Sequence, residues 1–98
     1  MRWAVNPSVV WSESSDEIRL YDTASGDFHT LSPTGSAIWR RIADTGDRDA
    51  IVAALAEEFG AQDDNQRHLI ANDTERFIRG LVDLGLIAEQ PSGAALPQ

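Results

Sequence analysis

The sequence predicts an α+β domain, a three-stranded antiparallel β-meander followed by three helices. Three observations carry this prediction. The first third of the chain is rich in β-branched and aromatic residues, and its second apolar run alternates with polar residues. From Ser32-Pro33 onward apolar residues recur at helical spacing instead. Turn-forming clusters at 23–26, 45–47 and 60–65, together with Gly85, separate the runs.

Taken in order, Ser8–Glu13 and Glu17–Asp22 read as strands, and Asp27–Leu31 as a third short one. With Ser14-Ser15 as a two-residue turn and 23–26 as a loop, Val9, Trp11, Ile18, Leu20, His29 and Leu31 share a mostly apolar face. Val10, Arg19, Tyr21, Phe28 and Thr30 share the other. This register sets Glu13 opposite Asp16, an unfavourable like-charge pair. Ser32 then caps a helix with Pro33 at its first position, and Gly35, Ile38, Trp39, Ile42 and Ala43 form its stripe. Thr45-Gly46-Asp47 breaks it. A second helix carries Ile51, Val52, Leu55, Ala56 and Phe59 and stops at Gly60. Gln66–Ala71 reads as a separate turn, because Asn72 with Glu75 resembles a capping box opening the third helix. Phe77, Ile78, Leu81, Val82 and Leu84 are that helix's stripe, Gly85 ends it, and Leu86-Ile87 pack back. Residues 1–90 form one domain, and Pro91–Gln98 is expected to be a flexible tail.

Composition narrows the function. The chain has 98 residues, 42% of them hydrophobic, enough for one core. No apolar run approaches the ~20 residues that span a bilayer. The N-terminus lacks a signal-peptide stretch and cysteine is absent, which together point to the cytoplasm. Sixteen acidic residues against eight basic ones, all arginine, give a net charge of −8, which opposes binding to phosphate backbones.

Groups for catalysis are scarce. His29 and His68 lie on different elements, and Ser25, Asp27 and His29 make no nucleophile turn. Asp63-Asp64-Asn65 lacks the glycine and bidentate glutamate of a calcium loop, and two separated histidines make no zinc site. No enzyme, metal or cofactor is expected. Arg40-Arg41 and Arg76 with Arg79 are the basic clusters; Arg76 and Arg79, one turn apart, face the same way, and Glu75 is placed to pair with Arg79. Asp27–Leu31 is an edge strand without the lysine or proline that blunts such edges, so an extended peptide could pair with it.

The run Leu20-Tyr21-Asp22, then Gly26 through Leu31, Ser32-Pro33-Thr34-Gly35 and Ile38-Trp39, resembles the PqqD family. Ile51–Phe59 resembles that family's second helix, and Asp73–Leu81 with Leu84-Gly85-Leu86-Ile87 its last; the likeness covers roughly residues 5 to 90. It implies a winged-helix-like RiPP recognition element, a peptide chaperone that binds the leader of a ribosomally made precursor. The partners implied are that leader peptide and a maturation enzyme: a protease, a radical SAM enzyme or a kinase-related protein. The leader would lie along Asp27, Phe28, His29, Thr30 and Leu31 and rest near Arg76, Arg79 and Gly80. The run Ser25-Gly26-Asp27-x-His29-x-Leu31 looks closest to a branch beside HPr-kinase-related proteins. Two departures from the family pattern are the longer 65–72 segment and Leu31-Ser32 in place of Leu-Asn. Two rival readings are a winged-helix DNA-binding regulator and a small structural subunit that forms a homodimer through its sheet edge.

Overall fold

The computed structural model describes residues 2–90. Eight elements follow in order: β1 (Arg2–Val5), β2 (Val9–Ser14), β3 (Glu17–Asp22), β4 (Phe28–Leu31), α1 (Pro33–Asp44), α2 (Arg48–Glu58), α3 (Asp64–Asp83) and β5 (Ile87–Gln90). The expected meander is there, in the order β2-β3-β4, with three helices after it. Beside it stands a second sheet that local patterning did not reveal: β1 pairs antiparallel with β5, Arg2 opposite Gln90 and Val5 opposite Ile87. The expected tail, 91–98, lies outside the described residues.

The β2–β3 register differs from expectation by two residues. Ser14 pairs with Glu17, so the turn residues are Ser15 and Asp16, with Ser15 at a φ of +57°. Glu13 therefore faces Ile18 and not Asp16, which removes the like-charge pair. A shift of two leaves every side chain on its face, so the predicted faces hold. Val9, Ile18, Leu20 and Leu31 are buried, while Val10, Arg19, Phe28 and Thr30 are exposed. The β3–β4 register is the expected one, Ile18 opposite Leu31 and Tyr21 opposite Phe28. Strand β4 begins at Phe28, one residue later than expected, although the Asp27 carbonyl still accepts the Asp22 N–H at 2.9 Å.

The helices begin where their side chains satisfy orphan N–H groups. Ser32 Oγ accepts from Gly35 N–H at 3.1 Å, with Pro33 next in line, and Asp47 accepts from Ala50 at 3.0 Å. Helix α3 corrects the capping-box reading. Asp63 caps it by accepting the Gln66 N–H at 2.8 Å, and one helix runs unbroken from Asp64 to Asp83. Asn72 lies in its middle, and no separate turn exists at 66–71. Its first two turns are largely exposed, and their sparse apolar residues are why they did not read as helix.

All three layers meet in one core. Ile18 and Leu20 of β3, Trp39 of α1, Ile51 and Leu55 of α2, and Leu86 after α3 are fully buried. Phe59 and Leu84, expected on apolar stripes, are instead 47% and 57% exposed. The β1–β5 sheet is tied to α1 by a bond from Trp3 N–H to the Gly46 carbonyl at 2.8 Å. Gly46 has a φ of +69°, and a Cβ there would collide with the Trp3 carbonyl oxygen.

Candidate functional site

Strand β4 has one paired side and one free side. The bond from Asp22 N–H to the Asp27 carbonyl fixes which backbone groups point where, because antiparallel pairs alternate between bonded and non-bonded positions. Leu20–His29 and Ile18–Leu31 are then bonded positions. Phe28 and Thr30 turn their N–H and C=O away from β3, towards the open edge. That edge offers two donors and two acceptors in the spacing of one more strand.

The inner end of β4 is secured by a side chain. Ser36, fully buried on α1, accepts the Ile18 N–H at 2.8 Å and donates to the Leu31 carbonyl at 3.3 Å. Its hydroxyl bridges the two strands at their last pair and bonds the sheet to the helix. Sequence reading missed this residue, since a serine on a helix's apolar face carries no pattern of its own.

Beside the free edge runs a groove of about 630 Å³, lined by Phe28–Leu31, by Arg76, Phe77, Gly80 and Leu81 of α3, and by Leu84 and Leu86 after it. Its far wall is the flank of α3 that faces β4: Phe77, Gly80 and Leu81, with Leu84 just beyond the helix, recur at helical spacing beside buried Ile78. Leu84's exposure follows from this position. The sequence signal places Phe77 and Leu84 on the helix's apolar stripe; Phe77 is half-buried against the core, and Leu84 is exposed. Phe77 sits against the start of α1, where a Cβ on Gly35 would come within 2.8 Å of its ring. The missing Cβ lets the ring lie flush and keeps the floor open. At Gly80 a Cβ would meet nothing within 4 Å, so that glycine leaves the helix surface low where the groove passes.

The residues expected at the site separate into two groups. Phe28, His29, Thr30, Leu31, Arg76 and Gly80 line this one groove, and Asp27 lies at the strand's outer end. Arg79 does not join them. It lines a different cleft with Trp3, Glu75, Ile78, Val82 and Glu89. Three residues along a helix turn a side chain about 60° from its neighbour, enough to put Arg76 and Arg79 on opposite flanks. The expected Glu75–Arg79 pair is also replaced: Glu75 binds Arg48 of α2 at 2.7 Å. The Arg48 hydrogen bond holds the Glu75 carboxyl below the usual carboxylate range, and the charges of Arg48 and Arg79 act in the same direction. This pair joins α2 to α3 behind the groove wall. Arg76 is 81% exposed, with one long contact to Asp73 at 3.9 Å. The other basic cluster is engaged, Arg40 with Glu13 at 2.8 Å and Arg41 with Glu58 at 3.1 Å.

Among the described residues no group of three or more His, Asp or Glu side chains could hold a metal ion. No described helix is long and apolar enough to cross a membrane.

Comparison with known proteins finds the same fold and a matching family. One solved structure, described as TbiB1 in complex with the TbiA(beta) leader peptide, superposes with a TM-score of 0.79 at 25% identity; the match covers 91% of this chain and 99% of that one. A second, a lasso peptide synthetase B1 complexed with the leader peptide, has a TM-score of 0.76 at 18% identity, covering 91% and 100%. The second likeness is one of fold alone. No curated protein matches the sequence. The family model for coenzyme PQQ synthesis protein D matches residues 17–87, from the start of β3 through the helices to the first residue of β5, and so the chain belongs to the PqqD family.

Proposed function

We propose that this protein is a RiPP recognition element: a non-catalytic peptide chaperone that binds a precursor's leader as an added strand along β4 and presents it to a maturation enzyme. The observation that carries the reading is the open edge of β4, with the backbone of Phe28 and Thr30 turned outward over an apolar groove. Main-chain bonds to those two residues supply affinity, and alternate side chains of the leader enter the groove against Phe77, Leu81 and Leu84. Arg76 at the rim suits an acidic leader residue. Arg79, on the other flank, has no part in this site. Support comes also from the similar solved structures, both of which carry leader peptides. A net charge of −8, with Arg40 and Arg41 held in ion pairs, disfavours a DNA-binding role.

Thr30→Pro tests the proposal. It removes an outward N–H and leaves the bonds to β3 intact, since Thr30 faces away from that strand. Affinity for the labelled leader of the precursor encoded nearby, read by fluorescence anisotropy, should fall about 30-fold, the loss expected for an unmade hydrogen bond worth about 2 kcal/mol. Unchanged affinity in a folded variant would overturn strand addition at this edge. Sedimentation of the unliganded protein at several concentrations distinguishes a free edge from one already paired with a second copy.

A further inference from the structure

The outer face of the three-stranded sheet carries a row of apolar side chains that runs straight to the open edge. Val10 stands opposite Tyr21, and Tyr21 opposite Phe28, so the three lie side by side across β2, β3 and β4. The Tyr21 and Phe28 rings are 4.5 Å apart and tilted by 34°. Phe28 ends the row and is 76% exposed, the most exposed large apolar residue described. The neighbouring row, Ser12–Arg19–Thr30, is polar throughout. Among the described residues, Val10 and Phe28 of the first row and all three members of the second are exposed, and Tyr21 is half-buried between its neighbours.

We infer that Phe28 is a specificity-determining residue, selecting an apolar or aromatic side chain on the solvent face of the incoming peptide. This rests on the strand-addition reading above. Phe28 turns its own N–H and C=O outward, so a strand added antiparallel would place one residue in a bonded pair with it. That residue's side chain emerges on the outer face, at cross-strand distance from the Phe28 ring. It becomes the fourth member of the row, covering a ring that otherwise faces water. The residue two positions away pairs with Thr30 and extends the polar row. Residues between them point inward to the groove, so one strand is read on both faces at alternating positions. The groove is thus only half of the recognition surface. A peptide apolar on its inner face alone would leave Phe28 uncovered.

The test uses a displayed library of random twelve-residue peptides, selected in parallel on the wild-type chain and on Phe28→Thr. Phe28 is so exposed that its replacement leaves the core untouched, which a thermal melt checks. Wild-type selection should enrich apolar residues at alternating inward positions and at one outward position, but not at the outward position two residues away. Selection on Phe28→Thr should keep the inward preference and lose the outward one. For a wild-type binder, changing that outward residue to serine should weaken binding about fivefold to the wild type and leave binding to Phe28→Thr unchanged. Binders with the same outward preference on both proteins, or with none on either, would overturn the role of Phe28 alone. A library giving no binder to the wild type would overturn peptide addition and this inference with it.

Discussion

The two edges of the three-stranded sheet have the same parentage and different fates. Strand β2 is six residues long and β4 only four, and both present outward backbone groups. On β2 the outward residues are Val9, Trp11 and Glu13, by the same alternation that exposes Phe28 and Thr30 on β4. Val9 N–H is already taken by the Asn6 carbonyl at 2.9 Å. Trp11 meets Trp39 edge to face, with ring centroids 5.5 Å apart. Glu13 places a carboxylate on the inner face at the strand's end, tied to Arg40. A charge on the inner face of an edge strand, held by a partner, is a standard obstacle to further pairing, because an added strand would bring its apolar face against it. Strand β4 has no such guard: Phe28, His29, Thr30 and Leu31 carry no fixed charge and no proline, and a 630 Å³ groove opens beside them. The cleft near β2, lined by Trp3, Val5 and Trp11, measures about 250 Å³. One edge is closed by its side chains and the other is left to be completed.

Matched proline substitutions test that asymmetry most directly. Thr30→Pro should lower peptide affinity about 30-fold. Glu13→Pro removes an equally outward N–H on the opposite edge. It should leave affinity unchanged, and losing the exposed Arg40 pair should cost stability under about 1 kcal/mol. Equal losses of affinity from the two variants would remove the distinction between the edges.

The short strand depends on a buried hydroxyl in a way that the long one does not. Ser36→Ala would strand both the Ile18 N–H and the Leu31 carbonyl in a dry site. Stability from urea denaturation should fall by about 2 kcal/mol. Peptide affinity should fall as well, because the frayed strand is the proposed binding edge. A loss below about 0.5 kcal/mol would mean that the strand end is held by packing alone.

These two edges were unequally legible in the sequence. The apolar faces of β2, β3 and β4 could be read because a strand's alternation is local, and a register error of two residues leaves it intact. The turn itself could not, because it depends on Ser15 taking a positive φ that a serine does not advertise. The β1–β5 sheet left no local trace: four-residue strands paired between residues 2 and 90 carry too little pattern, though Trp3 and Val5 are β-formers. On α3, Asn72 and Glu75 imitate a capping box, whereas Asp63 is the cap and Glu75 is committed to Arg48. Strand β4 and Arg76 fall beside one groove as their spacing implies, because edge strand and helix stripe are both sequence periodicities. Arg79 lines a separate cleft because a spacing of three puts two residues near each other without saying which flank each takes.

Gly80 sharpens the comparison from the opposite wall. A methyl group there meets nothing in the free protein, so Gly80→Ala should stabilise α3 by about 1 kcal/mol, visible as a raised Tm. The same methyl stands in the groove beside β4, and leader affinity should fall while stability rises. Gains in both would show that the peptide passes clear of this helix, leaving β4 as the whole site.

The smallest effect comes from the pair that holds that wall from behind. Arg48 keeps the Glu75 carboxyl below its ordinary range, so the folded state favours the carboxylate more than the unfolded chain does. The pair's contribution is therefore complete above the ordinary carboxylate pKa and is lost as pH falls through that value to the lowered folded one. Both side chains are about one-third exposed, which limits the contribution to about 0.5 kcal/mol. Glu75→Gln should be less stable than the wild type by that amount near neutral pH, and the difference should shrink as pH falls through and below the ordinary carboxylate range. A difference that persists in acid would assign the pair's role to hydrogen-bond geometry, with charge irrelevant. In either case the leader should still bind, because Glu75 stands on the flank of α3 that turns away from β4, facing Arg48 of α2.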